Sequence, residues 1–225
     1  MRKFTGISTK KIIAIAAVFA LLGVITFTGS FSPSALISGM LPTRIASPDA
    51  ALSLPQSHKP DFALDFDQQG YNQCAGYAAA FIRRYYGQEV YGSDVYDQIS
   101  YNLPVDIGVP PHKLLRHFRQ HNLNATARLG ELEHLKHYAS RDIPLIVLVG
   151  EGISWQHYMV FLGYDREKDE LYFYDSEVGA IDRFRQAPGN RTLTEKQFLD
   201  IWKNSLPGFS QLFITVEPVY NPDLS

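Results

Sequence analysis

The strongest constraint on this chain's fold lies between Pro144 and Asp175. "PLIVLVG" is a run of aliphatics, "HYMVFLGYD" a second apolar run, and "ELYFYD" a third. Runs of this length, rich in β-branched and aromatic residues, read as strands buried on both faces. The charged "YDREKDEL" between the second and third suits a hairpin connection, so neighbouring strands run antiparallel. "QLFITVEPV" adds a fourth strand late in the chain.

Upstream of these runs a 3.6-residue period appears. In "QCAGYAAAFIRRYYG", Cys74, Tyr77, Ala78, Phe81, Ile82 and Tyr85 fall on one helical face. Asn72 is a candidate N-cap and Gly87 a candidate terminator. "GSDVYDQISYNL", "PPHKLLRHFRQHNL" and "LGELEHLKHYASRD" read as three further helices, the second opening on proline, where a missing N–H costs nothing. "TLTEKQFLDIWKN" is amphipathic, and Thr194 with Gln197 fits a capping box. Helices first and a mostly antiparallel sheet afterwards make an α+β layout.

The N-terminus has another character. Arg2, Lys3, Lys10 and Lys11 precede Ile12 to Phe27, an uncharged apolar run. Residues 1–30 therefore read as a signal-anchor, with a cleaved signal peptide as the alternative. Basic residues keep that end in the cytoplasm, so the rest of the chain is expected outside it, membrane-tethered or secreted. Residues 31–61 are rich in Ser, Pro and Ala and read as a spacer. The compact domain is expected over 62–219, with a tail at 220–225.

A net charge of −2 lacks the basic footprint of a nucleic-acid binder. The chain has one cysteine, so no internal disulfide can form, and Cys74 is either a small buried side chain or a reactive thiol. It lies in the first turn of its helix, where free N–H groups and a nearby imidazolium would favour a thiolate. Of the seven histidines, His157 is the best partner, because it opens a strand that could end beside that helix start. Asp175, closing the neighbouring strand, could orient the imidazole through its other nitrogen. An acyl-transfer site also needs oxyanion donors. The Cys74 N–H is one, and a side-chain amide from Gln68, Gln69 or Gln73 would complete the pair. Trp155 could roof the site or anchor the core. His117 with His121, and His134 with His137, read as solvated helix faces rather than metal ligands.

Gln-x5-Cys opening a helix, then "HYMVFLGYD", then Tyr-Asp closing a strand, resembles the papain-like peptidases that process bacteriocin leaders, and their extracytoplasmic peptidase-like relatives. The resemblance covers roughly Asp65 to Val216. It implies a papain-like cysteine peptidase fold, with a helical N-terminal part packed on a mostly antiparallel sheet. It also implies Gln68 in the oxyanion role, Cys74 as nucleophile, His157 as general base and acid, and Asp175 as orienter. No cofactor or metal is implied, and the partner is a peptide or protein substrate. Two departures bear on substrate class: "QCAG" stands where the family commonly has Asp-Cys-Gly or Cys-Gly-Pro, and "DSEVG" where it often has Asp-Pro. With no ATP-binding cassette in the chain, a stand-alone domain is expected. A cell-wall amidase of similar thiol chemistry, suggested weakly by "CAGY", and an inactive peptide-binding domain are the alternatives.

Overall fold

The computed structural model describes residues 42–47, 54–60, 65–101, 108–178, 188–206 and 208–219. In chain order the elements are β1 (Thr43–Arg44), β2 (Ser57–His58), α1 (Cys74–Tyr85), α2 (Gly92–Ile99), α3 (Pro111–Gln120), β3 (Leu123–Leu129), α4 (Leu132–Ala139), β4 (Leu145–Glu151), β5 (Trp155–Asp165), β6 (Glu170–Tyr174), β7 (Arg191–Leu193), α5 (Glu195–Lys203) and β8 (Leu212–Pro218).

One sheet runs β1-β3-β8-β4-β5-β6-β7, with β2 beside the far end of β5. Among the described residues only β1 and β3 pair in parallel. The three apolar runs that dominate the sequence are β4, β5 and β6, side by side in chain order, as short antiparallel connections require. Their side chains alternate between two cores. Ile146, Leu148, Tyr158, Val160 and Tyr174 join α1, α2 and α3 on one face. Leu145, Val147, Val149, Met159, Phe161 and Phe173 join α4 and α5 on the other. The α+β expectation holds, with helices on both faces of the sheet.

Helix α1 is buried almost all round, beyond its predicted stripe, since Ala75, Ala79 and Ala80 are also enclosed. It lies between the sheet and α2, and its run of alanines lets both approach. Phe81 is fully buried, a contribution of about 2–3 kcal/mol from apolar area alone. Gly87 (φ 78°) follows its last turn as expected. Asn72 does not cap it. The N-cap is Gln73, with no side-chain cap bond, and Asn72 instead takes a left-handed conformation (φ 62°) in the preceding turn. The Thr194–Gln197 capping box forms at α5.

The spacer boundary also moves. Within 31–61, Thr43 and Arg44 pair with Arg128 and Leu129, and Ser57 and His58 pair with Asp165 and Tyr164. Two-residue strands have no period to read, and they bind through backbone groups that any sequence carries. Side-chain contacts secure them: the Tyr164 hydroxyl donates to the Pro55 carbonyl at 3.1 Å. The helix expected over 110–123 ends at Gln120, and β3 begins at Leu123.

Two histidines assigned to solvated faces are buried. His117 Nε2 lies 3.3 Å from the Arg83 guanidinium; arginine only donates, so this nitrogen accepts and the ring is neutral. Burial, then the charges of His121 and Arg83, push its pKa down to about 4. His134 Nδ1 accepts from the Glu131 N–H at 2.9 Å, which leaves Nε2 to donate to the Ala46 carbonyl at 2.9 Å. The apolar run Ile12–Phe27 and the tail 220–225 lie outside the described residues. Among the described residues no helix is long and apolar enough to cross a membrane.

Candidate active site

Cys74 begins α1 and is 8 % exposed. The Gln73 carbonyl accepts from the N–H groups of Gly76 and Tyr77 at 3.0 and 3.2 Å. The N–H of Cys74 has no acceptor among the described residues, as the first turn of a helix dictates. No acidic side chain occupies that turn, whereas Arg83 and Arg84 occupy the last. The partial positive charge of the helix start is thus left for another anion.

His157 comes from β5, paired opposite Val149 of β4. Its Nε2 is 2.7 Å from Asp175 Oδ1, and both side chains are almost completely buried. Asp175 is the hydrogen-bond partner of the imidazole, and the Cys74 thiol acts on it as a neighbour. Burial pulls its pKa down, but the hydrogen bonds to Asp175 and Cys74 and the charges of both outweigh this, and the net shift is upward. Since Nε2 is committed to Asp175, Nδ1 is the nitrogen free for chemistry. The Glu177 carboxylate, 44 % exposed, lies 3.8 Å from that nitrogen. Trp155 does both jobs considered for it: its ring stacks on His157 (centroids 5.7 Å apart, 20° between planes) and packs against the second core.

Asp175 follows β6 and is held on every side. Oδ1 accepts from His157 and from the Glu177 N–H at 2.9 Å, and Oδ2 accepts from Arg191 at 2.6 Å. Burial alone would raise the carboxyl; the His157 bond and charge, the Glu177 N–H and Arg191 together hold it below its usual range. Its backbone is held as firmly. The buried Asn190 amide accepts from the Asp175 N–H at 2.7 Å and donates to the carbonyls of Asp175 and Val178 at 2.8 and 3.0 Å. Sequence reading missed Asn190 and Arg191. They lie fifteen and sixteen residues downstream, and only the β6–β7 pairing brings them alongside.

Three glutamines were open as oxyanion donors. Gln69 accepts from the Ser176 hydroxyl at 2.5 Å, and Gln73 accepts from the Gly70 N–H at 3.1 Å. Gln68 is exposed, and its side chain has no hydrogen bond to the described residues. Gln69 and Gln73 are fixed through Oε1, with no acceptor for their Nε2 among the described residues, and Gln68 alone makes no side-chain hydrogen bond there.

The donor atoms of His157, Asp175 and Glu177 lie within 4.8 Å of one another, close enough to share a cation. The first two already bond each other, and Arg191 supplies a cation to Asp175. That leaves little unsatisfied negative charge for a metal. The arrangement instead suits a thiol whose proton the imidazole takes and a carboxylate steadies, in a setting dry enough for each charge to act strongly.

No family model and no curated protein matches the chain. Several solved structures are similar to it, among them the following three. The peptidase domain of Streptococcus ComA, a bifunctional ABC transporter involved in a quorum-sensing pathway, is 18 % identical over 68 % of this chain and 96 % of that one, with a TM-score of 0.48. A double-glycine-motif protease from an AMS/PCAT transporter, in complex with its leader peptide, is 15 % identical over 68 % of this chain and 89 % of that one, at 0.45. Xylellain, a cysteine protease from Xylella fastidiosa, is 13 % identical over 80 % of this chain and 92 % of that one, at 0.44. Each of these three is a protease or a peptidase domain.

Proposed function

We propose that this chain is a thiol peptidase that cleaves a peptide bond through an acyl-enzyme. One observation carries the reading: a buried imidazole whose Nε2 is held by Asp175 at 2.7 Å, with Cys74, at the start of a helix, near enough to raise its pKa. In this scheme the Cys74 thiolate attacks the scissile carbonyl. The oxyanion receives the Cys74 N–H and the free amide of Gln68. His157 Nδ1 then gives its proton to the leaving amine, and afterwards takes one from the water that hydrolyses the thioester. Asp175 keeps Nε2 protonated and the ring in place throughout. Among all these groups, only Cys74 forms a covalent bond.

The substrate proposed is a peptide or protein met outside the cytoplasm, with the uncharged run Ile12–Phe27 behind four basic residues serving as the anchor. Replacing Cys74 with Ala tests the mechanism. Purified wild-type chain should cleave members of a mixed quenched-fluorescence peptide library and take up a thiol-directed acylating probe. Cys74→Ala should do neither while keeping its far-ultraviolet circular dichroism. Peptide cleavage that survives in the variant would refute the scheme. Release of fragments from purified cell wall, with no library member cut, would transfer the same chemistry to the amidase alternative.

A further inference from the structure

Gln68 sits in a segment that is fastened on both sides of it. Upstream, the Phe66 ring stacks on Tyr174 and Phe81, with centroids 5.8 and 6.0 Å away. The Asp67 carbonyl accepts from the Tyr174 hydroxyl at 2.9 Å, and its carboxylate pairs with Arg84 at 2.9 Å. Downstream, the Gln69 N–H donates to the Ser176 carbonyl at 2.8 Å. The Ser176 hydroxyl donates back to Gln69 Oε1 at 2.5 Å. Ser176 is 1 % exposed, and Gln69 is the one recorded partner of its hydroxyl among the described residues. Between these two fastenings Gln68 remains unengaged.

The second fastening comes from the residue immediately after Asp175. The dipeptide Asp175-Ser176 therefore holds the imidazole with one side chain and the Gln68 segment with the next. An oxyanion donor works only if it is already aimed where charge will develop. An exposed amide on an unfastened segment would have to be ordered during the reaction, and would lose part of its effect as entropy.

We infer that Ser176, acting through Gln69, is a positioning residue for Gln68, and that it sets the oxyanion amide in register with the thiol. This inference rests on the proposed roles of Gln68 and Cys74, but not on the identity of the substrate.

The test compares two reactions of the same thiol in the full chain. Acylation by p-nitrophenyl acetate forms a carbon–sulfur bond, expels p-nitrophenolate and passes through an oxyanion. Alkylation by iodoacetamide also forms a carbon–sulfur bond, but expels iodide with no oxyanion. Ser176→Ala should slow acylation about 10-fold, part of what losing a whole donor costs, and leave alkylation within about two-fold. Gln68→Ala should show the same selective loss, and the double variant should be no worse than Gln68→Ala alone. Gln69→Glu, which keeps an acceptor for the Ser176 hydroxyl, should acylate close to the wild-type rate, and Gln69→Met should not. Equal slowing of both reactions by Ser176→Ala, no slowing of either, or losses that add in the double variant would overturn the inference. Because acylation needs no peptide, a chain that acylates in this pattern yet cuts no library member would refute only the peptidase reading.

Discussion

Gly189→Ala offers a direct test of whether the clamp on Asp175 matters to the thiol. A Cβ built at Gly189 would lie 2.3 Å from the Phe173 carbonyl oxygen, 2.9 Å from its carbon and 3.0 Å from its nitrogen. All three are backbone atoms of β6, so no side chain can swing aside. Relief to ordinary contact requires the chain at 189 to retreat by about 1 Å. The next residue, Asn190, bonds the Asp175 backbone at 2.7 and 2.8 Å, and a retreat of that size carries both bonds past useful length. Two buried hydrogen bonds at about 1 kcal/mol each predict a loss of about 2 kcal/mol. A displaced Asp175 should also slow chemistry at Cys74, by about 100-fold for a misplacement near 1 Å. Gly163→Ala is the matched control. Its Cβ would lie 2.3 Å from the His58 carbonyl oxygen, an equal clash, but six residues along β5 from His157, roughly 20 Å at strand rise. Urea midpoints should fall in both variants, and the acylation rate of Cys74 should fall only in Gly189→Ala. Wild-type acylation in Gly189→Ala, or equal slowing in Gly163→Ala, would refute the argument that the clamp governs the site.

Three further outcomes are expected. Arg191→Gln removes one of the partners that hold the Asp175 carboxyl low. A lowered carboxyl stabilises the fold above its unfolded value and loses that contribution as pH falls through the folded one, so the variant should begin to unfold at a higher pH in an acid titration followed by tryptophan fluorescence. His117 has the same sign, from the loss of a neutral buried ring rather than of a paired carboxylate. Its folded value of about 4 lies below the ordinary imidazole, so the unfolded chain binds more protons between about pH 6.5 and 4, and stability drops by about 3 kcal/mol across that interval. His117→Gln keeps an acceptor for Arg83, and its urea midpoints at pH 7 and 4.5 should lie closer together than those of the wild type. Thr194→Ala removes the bond from the Gln197 N–H at 3.2 Å and should cost about 1 kcal/mol by thermal melting.

The parts of the molecule legible in the sequence are those whose signal is local. Helix α1, its thiol and its Gly87 terminator come from a 3.6 period and a single left-handed residue. Strands β4 to β6 come from uninterrupted apolar runs, and the α5 cap from two residues three apart. β3 was missed because "LNATARL" buries only Leu123 and Ala125 below its exposed positions, too weak an alternation to stand out after a helix. His117 and His134 are polar side chains, each beside a charged residue (Arg116, Glu133), and so read as solvated; the groups that let them be buried, Arg83 and the Ala46 carbonyl, come from distant segments. The site divides the same way. Cys74 starts a helix and Asp175 follows a strand, places a sequence can mark; His157, expected to open β5, lies two residues inside it, because the strand begins at Trp155. Asn190, Arg191 and the Ser176–Gln69 pair exist only once β7 and the segment before α1 have come together at Asp175.

The Asn190 clamp also has a consequence for chain length. Its hydrogen bonds join residue 175 to residue 190, so the segment between them is a closed loop whose two ends are tied at the site. The entropy of closing such a loop grows only with the logarithm of its length, and doubling it costs about 0.6 kcal/mol. Insertions there should therefore be cheap while both anchor points keep their places. Beside the imidazole, the molecule has a span whose length can change without moving the groups that do the chemistry, provided that Ser176, Glu177 and Gly189 keep their places.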